Sequence, residues 1–359
     1  MAKGEDIRQM TEDEVLEEAD FSGADLAGVN LDGIIFLHCT FRETIFEGAS
    51  FSGCRFISTD MSGAVLSGAD LTEAEFDRCS MAGVTGAGST WAGSAARDID
   101  FAGANFSGAD FSGALLSRCG LEGARFSGAT MLNTSAFECR FADADFSKAD
   151  LTRFTAPESD LSLCLFSGAI LNMAILKGAV LDGVSWAGCR LDRAVLAGAS
   201  LKGAGFDHMD MGRVIFTGAL LSGAVFRGAR GEYSSFQDAV ADGADFSGAV
   251  FNASDFSGAD LDGADMSGLA AHSSMFVKAS CRKTIFTGAR LPFADFSHAS
   301  IEGADFSCAD LSGANLHGLV RSAARWDGAD LTHVRKTDPD LLEAEHWKSS
   351  VPGRKRASK

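Results

Sequence analysis

The stretch Phe101-Ala102-Gly103-Ala104-Asn105-Phe106-Ser107-Gly108-Ala109-Asp110-Phe111-Ser112-Gly113 repeats one five-residue phrase. Phe returns at every fifth position, here called i. A small Ala stands two residues before it, and Asn or Asp directly before it. A period of five fits neither a lone helix, at about 3.6 residues per turn, nor a flat strand, at about 2. A slot filled by Phe at that interval faces one shared interior. The small residue at i−2 has the same parity, so in an extended segment it points the same way. Positions i−1, i+1 and i+2 then meet water.

Working outward, the register holds in both directions. It recurs in Ala24-Asp25-Leu26-Ala27-Gly28, Ala69-Asp70-Leu71-Thr72-Glu73, Ala259-Asp260-Leu261-Asp262-Gly263 and Ala309-Asp310-Leu311-Ser312-Gly313. From Ala19 to His333 it comprises 63 consecutive pentapeptides without one inserted or deleted residue. Ser-Gly at i+1 and i+2 supplies turn chemistry.

This pattern resembles the pentapeptide-repeat family, whose motif is Ala-(Asp/Asn)-Leu-X-X with Phe allowed at the centre. The resemblance covers residues 19–333, nearly nine-tenths of the chain. It implies an all-β fold, a right-handed quadrilateral β-helix with four pentapeptides per turn and about 16 coils. At about 4.8 Å per coil that is a rod on the order of 75 Å long.

Composition agrees. Among 359 residues there are 28 Phe, 41 Gly, one Tyr and four Pro, the bias of a repeated slot of one shape. Seven of nine Cys (Cys39, Cys54, Cys79, Cys119, Cys139, Cys164 and Cys189) occupy i−2, Cys281 is at i, and Cys308 alone faces outward. They read as small buried hydrophobes in a reducing compartment. No Cys/His spacing suggests zinc.

A solenoid needs capped ends. Residues 1–18 are expected to carry a short capping helix, about Glu12 to Glu18, started by the capping box Thr11-Glu12-Asp13-Glu14. Residues 19–333 are the β-helix. A second helix is expected in 334–348, opened by Thr337-Asp338-Pro339, with Leu341, Leu342 and Trp347 closing the last coil. Residues 349–359, including Arg354-Lys355-Arg356, read as a disordered basic tail.

Some units break the rule. Phe154/Ala156 and Leu269/Ala271 exchange large and small slots, while Leu319/Arg321 puts a charge at i. Gly86 and Ala96 leave the segment from Val84 to Arg97 short of core volume, and Gly231 and Ala241 do the same later. The exchanges read as local volume compensation, and the coils of Gly86/Ala96 and Gly231/Ala241 are the expected weak ones.

The formal charge is −18, distributed as −5 over residues 1–18, −16 over 19–333 and +3 over 334–359. Such a body repels nucleic acid and anionic membranes and attracts a basic protein surface. The most apolar segment, Gly168 to Cys189, is interrupted by Asn172, Lys177 and Asp182, so it is no membrane span. The N-terminus lacks the apolar run of a secretory signal, and a cytoplasmic location is expected.

No catalytic constellation, cofactor motif or metal set emerges. Ser is abundant because i+1 wants a turn residue. The seven His are scattered, and none lies 20 residues from another, so no two are expected to stack on adjacent coils. The chain therefore reads as a non-enzymatic scaffold or adaptor for another protein, or as a homodimer.

Two outward features exceed the motif. If one coil is 20 residues, Ile175, Val195 and Ile215 stack on one face. Val180, Leu220 and Val240 stack on the next, with Ser200 interrupting and Leu165 and Val225 flanking. Either β-branched residues are simply favouring strands, or this is a docking surface. The second feature is acidic: Asp245, Asp265 and Asp305 share one face, Asp255 and Asp295 another. Some pentapeptide-repeat proteins imitate the DNA duplex and occupy the DNA site of a type II topoisomerase such as DNA gyrase. The resemblance implies that alternative function here, although Arg55, Arg125, Arg140, Arg190, Arg230 and Arg290 interrupt the outward rows. The long Phe-rich array is also similar to pentapeptide-repeat proteins associated with bacterial type VI secretion clusters.

Overall fold

The computed structural model describes residues 7–320 and 322–346. One pentad shows how the chain turns. The Phe111 N–H donates to the Thr130 carbonyl at 2.7 Å, tying this coil to the next. Asp110 Oδ1 accepts the Ser112 N–H at 2.9 Å, and the Ala114 N–H returns to the Phe111 carbonyl at 2.9 Å. Gly113 sits at φ 70°, the left-handed conformation that closes a tight turn at no steric cost, and its N–H reaches the Leu132 carbonyl at 2.8 Å. Each corner therefore satisfies its own backbone and still pairs with the neighbouring coil.

Parallel pairings twenty residues apart form an unbroken row from Val15 through Ile35, Arg55 and onward to Asn315 and Arg335. Three further rows begin at Asp20, Asp25 and Asn30. The result is a parallel β-solenoid whose coils are stacked and whose four rows define four faces.

The row that starts at Val15 changes character midway. Its first seven rungs are three-residue strands: β1 (Val15–Glu17), β2 (Ile35–Leu37), β3 (Arg55–Ile57), β4 (Glu75–Asp77), β5 (Ala95–Arg97), β6 (Leu115–Ser117) and β7 (Ser135–Phe137), paired in order in one parallel sheet. Beyond Phe137 the row continues as single bridges between turns. Pro157 stands where an eighth strand would end. It has no N–H for the ladder, and its fixed φ suits the first central position of a turn.

The interior is as the repeat requires. Phe101, Phe106 and Phe111 are buried. Rings one coil apart stack in columns, at 4.7 Å for Phe36–Phe56 and 4.8 Å for Phe56–Phe76, and at 4.6 Å for Phe286–Phe306. That separation is the spacing of hydrogen-bonded strands, so backbone ladder and aromatic column share one repeat. Several hydroxyls and thiols at i−2 are buried and paired: Thr44 Oγ1 donates to the Phe21 carbonyl at 2.8 Å, and Cys54 Sγ to the Leu31 carbonyl at 2.8 Å, whereas Ser94 Oγ is buried without a partner. Eight cysteines are buried and Cys308 is exposed, all of them free.

The N-terminal expectation needs correcting. No helix covers Glu12 to Glu18; a single 3-10 turn spans Ile7–Gln9, and Val15–Glu17 is already a strand of the solenoid. Leu16 falls in the pentad register, so the solenoid begins one unit before Ala19. Half of the capping box does form, with the Thr11 N–H donating to Glu14 Oε2 at 2.8 Å. Asp13 at φ 67° then turns the chain out of any helical path. At the other end, α1 spans Pro339–His346. Asp338 Oδ1 accepts the N–H groups of Asp340 and Leu341 and so caps it. Leu341 is exposed and does not close the last coil. Arg321, Trp347 and residues 349–359 lie outside the described residues.

Two of the expected volume deficits are filled from neighbouring coils. A Cβ at Gly86 would stand 2.9 Å from Phe106 Cδ1, and one at Gly231 would stand 2.2 Å from Phe251 Cε1. Each ring already occupies the space that the glycine leaves.

Candidate functional site

The outward i−1 side chains are placed by the rows. Thr155, Ile175, Val195, Ile215 and Ser235 are consecutive in one row, and Asp160, Val180, Ser200, Leu220, Val240 and Asp260 in the next. All six aliphatic residues singled out above thus lie on two adjoining faces, bounded by polar rungs. Ile175 is 41% exposed, Ile215 39% and Val180 36%, while Val195, Leu220 and Val240 are half-buried. In the third row Leu165 bridges to Asp145, while Val225 bridges through Gly205 to Ser185.

The acidic residues fall less regularly than expected. One row reads Asp245, Asp265, Ile285, Asp305, Arg325, and another Asp255, Met275, Asp295, Asn315. Ile285 is 41% exposed and Met275 43%, so each ladder is interrupted by an apolar rung. The carboxylates are also engaged. Asp245, Asp255, Asp265, Asp295 and Asp305 each accept the N–H two residues on. Arg227 donates to Asp245 at 2.7 Å, Arg325 lies 3.5 Å from Asp305, and Asn315 Nδ2 donates to Asp295 at 3.1 Å. Burial pushes the Asp245 carboxyl up, but hydrogen bonds from Ser247 and Arg227 outweigh it and hold the group below its ordinary range. Each of these carboxylates therefore also closes a local turn, at Ser247, Ser257, Ser267, Ser297 or Ser307.

A groove of about 610 Å³ crosses the sheet face. Arg55 and Glu75, paired at 3.1 Å, stand at one end, Leu115 and Phe137 at the other, and Asp77 and Arg97 along the side. Ala95 lowers the floor between taller outward neighbours, and Ala96 interrupts the ring column of Phe36, Phe56 and Phe76. Ala96, at the unit short of core volume, lies among the residues lining this groove.

The histidines also need correcting. His298 and His317 are nineteen residues apart, yet their rings lie 5.3 Å apart, edge to face. His298 follows its Phe by two residues and His317 follows its Leu by one, so the single-residue offset still puts them on adjacent coils. Glu345 of α1 completes the cluster. Its Oε2 stands 3.2 Å from His298 Nε2 and 3.3 Å from His317 Nε2. Glu345 carries no repeat signal, and only the fold of the cap brings it there.

The core thiols differ: a hydrogen bond between Cys119 and Cys139 lowers Cys119 and raises Cys139. Burial pushes Cys54 and Cys164 up to about 12 and Cys79 to about 11, far from the thiolate form. No described helix is long and apolar enough to cross a membrane.

The family model described as pentapeptide repeats matches residues 19–56, 49–85, 97–131, 114–153, 138–183, 181–218, 210–248, 232–268 and 279–318. The internal stretches it skips, 86–96 and 269–278, hold the Gly86/Ala96 deficit and the Leu269/Ala271 exchange, and its last match ends at 318, before the Leu319 unit. No match was found among curated proteins. Among solved structures, the trypsin-treated plasmid-mediated fluoroquinolone resistance protein QnrB1 is 22% identical, over 49% of this chain and 91% of that one, with a TM-score of 0.27. HetL, involved in heterocyst differentiation regulation in the cyanobacterium Nostoc, is 19% identical over 90% of each chain, with a TM-score of 0.16. Rfr23 from the cyanobacterium Cyanothece is 15% identical over 42% of this chain and 88% of that one, with a TM-score of 0.13. Superposition this loose transfers no activity. The repeat itself decides the matter: the chain belongs to the pentapeptide-repeat family.

Proposed function

We propose that the chain is a non-enzymatic scaffold that binds another protein through the faces of Ile175, Val195 and Ile215 and of Val180, Leu220 and Val240. The observation that carries this reading is their grouping on two adjoining faces, with Ser200 between Val180 and Leu220. Covering half-exposed aliphatic side chains of this size contributes roughly 1 kcal/mol each, enough together for a specific contact. The rigid stack keeps them in place before the partner arrives, so little ordering entropy opposes binding. Free buried cysteines suit a reducing, cytoplasmic setting. The body's negative charge disfavours nucleic acid as the partner. A component of a type VI secretion system is one protein partner to try first, on resemblance alone.

The test is the double substitution Val195→Asp with Ile215→Asp. Partner affinity in a pull-down titration should fall at least about tenfold, the equivalent of about 1.4 kcal/mol, or, for a dimer, the mass in light scattering should drop toward that of the monomer. Unchanged recovery and mass would remove these faces from consideration. A second reading, mimicry of DNA toward a type II topoisomerase, draws support from the ionised Asp245 and Asp305. Ile285, Met275 and Arg325 within the same rows weigh against it. Inhibition of gyrase supercoiling by micromolar protein would reverse that order.

A further inference from the structure

We propose that His298, His317 and Glu345 form a site for one transition-metal ion of the zinc class, fastening α1 to the last coils. One ligand atom from each of the three residues lies within 4.8 Å of the others, and Glu345 Oε2 is close to both His298 Nε2 and His317 Nε2. Two imidazoles and a carboxylate are a donor set suited to zinc. The spacing fits as well. Metal–ligand distances of about 2.0–2.2 Å in a tetrahedron put neighbouring ligand atoms roughly 3.3 Å apart. The observed oxygen-to-nitrogen separations are 3.2 and 3.3 Å. A charge-assisted hydrogen bond would draw them to about 2.7–2.9 Å.

The rings are held in place without the metal. His298 packs against Gly318, where a Cβ would stand 2.5 Å from its Nδ1, and His317 is buried. The fourth position opens into a cavity of about 400 Å³, with room for water. Arg335, Lys336 and Asp338 also line it, so two cations face two carboxylates. One contact must give way. His317 Nδ1 accepts the Asp338 N–H at 3.2 Å, whereas ligation through Nε2 places a proton on Nδ1. That long bond is exchanged for the metal bond, with the peptide ahead of the Asp338 cap turning aside.

The experiment uses the full chain, stripped with a chelator and titrated with Zn²⁺ alone by calorimetry and with Co²⁺ by visible absorption. One ion per chain is expected, with the intense d–d bands of low-coordinate Co²⁺. His298→Ala and Glu345→Gln should each weaken binding by more than about 100-fold, since even indirect support of a ligand is worth 10–100-fold. His38→Ala, remote from the site, should change nothing. His317→Ala is set aside because its ring is buried under the cap. Absence of binding, or binding that survives both His298→Ala and Glu345→Gln, would overturn the proposal.

Discussion

Trp91 and Trp186 fill the same slot of the repeat, and the coils around them differ. At Trp91 the small slot holds Ser89, whose Oγ accepts the indole N–H at 2.8 Å and donates to the Gly86 carbonyl at 2.6 Å. The ladder bonds there are short: Trp91 N–H to Asp110 at 2.6 Å and Asp110 N–H to Ser89 at 2.9 Å. At Trp186 the small slot holds Val184, and the indole N–H is buried without a partner. The equivalent bonds, Trp186 N–H to Gly205 and Gly205 N–H to Val184, both stretch to 3.4 Å. Rings stacked on Trp186 stand 5.5 and 5.8 Å away, against 4.7 Å in the Phe206–Phe226 pair beyond. A solenoid thus accepts an oversized residue when a neighbour gives up volume and supplies a hydrogen-bond partner. Otherwise it pays in backbone pairing.

The substitution with the largest expected effect is Gly86→Leu. It forces a side chain into space held by Phe106 and Ser89 and should cost about 3 kcal/mol by overpacking, read as faster amide exchange in the coils around Trp91. Ser89→Ala makes the Trp91 coil resemble the Trp186 coil by orphaning its indole N–H. A loss of about 2 kcal/mol is expected in thermal or denaturant unfolding. Trp186→Phe runs the comparison backward. It deletes the orphan donor and relieves the crowding against Val184, and should stabilise by about 1 kcal/mol. Slower exchange at Gly205 would show it.

Acid should give the smallest effect and should not distinguish the two regions. Burial raises the carboxyls of Asp60, Asp245 and Asp262, but hydrogen bonds (from the local turn at Asp60 and Asp245, from Ser280 and Arg282 of the next coil at Asp262) and the cations Arg42, Arg227 and Arg282 bring each net below its ordinary value. A depressed carboxylate contributes stability that is present above the unfolded value, near 3.9, and lost as pH falls through the folded one. Thermal stability should therefore be flat from neutral pH to about pH 5 and decline below about pH 4.

The coil was legible because its period is so regular. Phe, Ala and Asp recur in slots whose chemistry differs, and the seven cysteines at i−2 repeat the message. What escaped depends on particular neighbours. The strand-to-turn switch had a signal in the i+2 residues of one face, Glu18, His38, Ser58, Arg78, Asp98, Arg118 and Glu138, none of them Gly, followed by Pro157. Thr11-Glu14 looked like a helix start because half of a capping box is also a turn. The pairing of His298 with His317 was hidden by a one-residue offset, and Glu345 by its place in the cap. Phe251 filling the space of Gly231 is a contact between coils that no single pentad records.

The central claim is that every twenty residues the chain returns to the same face, one coil further on. Spin labels at Ser112 and Ser312, in a chain whose exposed Cys308 is replaced by Ser, measure it directly. The two sites share a face, and ten coils at about 4.8 Å each place them roughly 48 Å apart, with a narrow distribution. A separation under about 30 Å, or a broad spread of distances, would contradict the stacked solenoid.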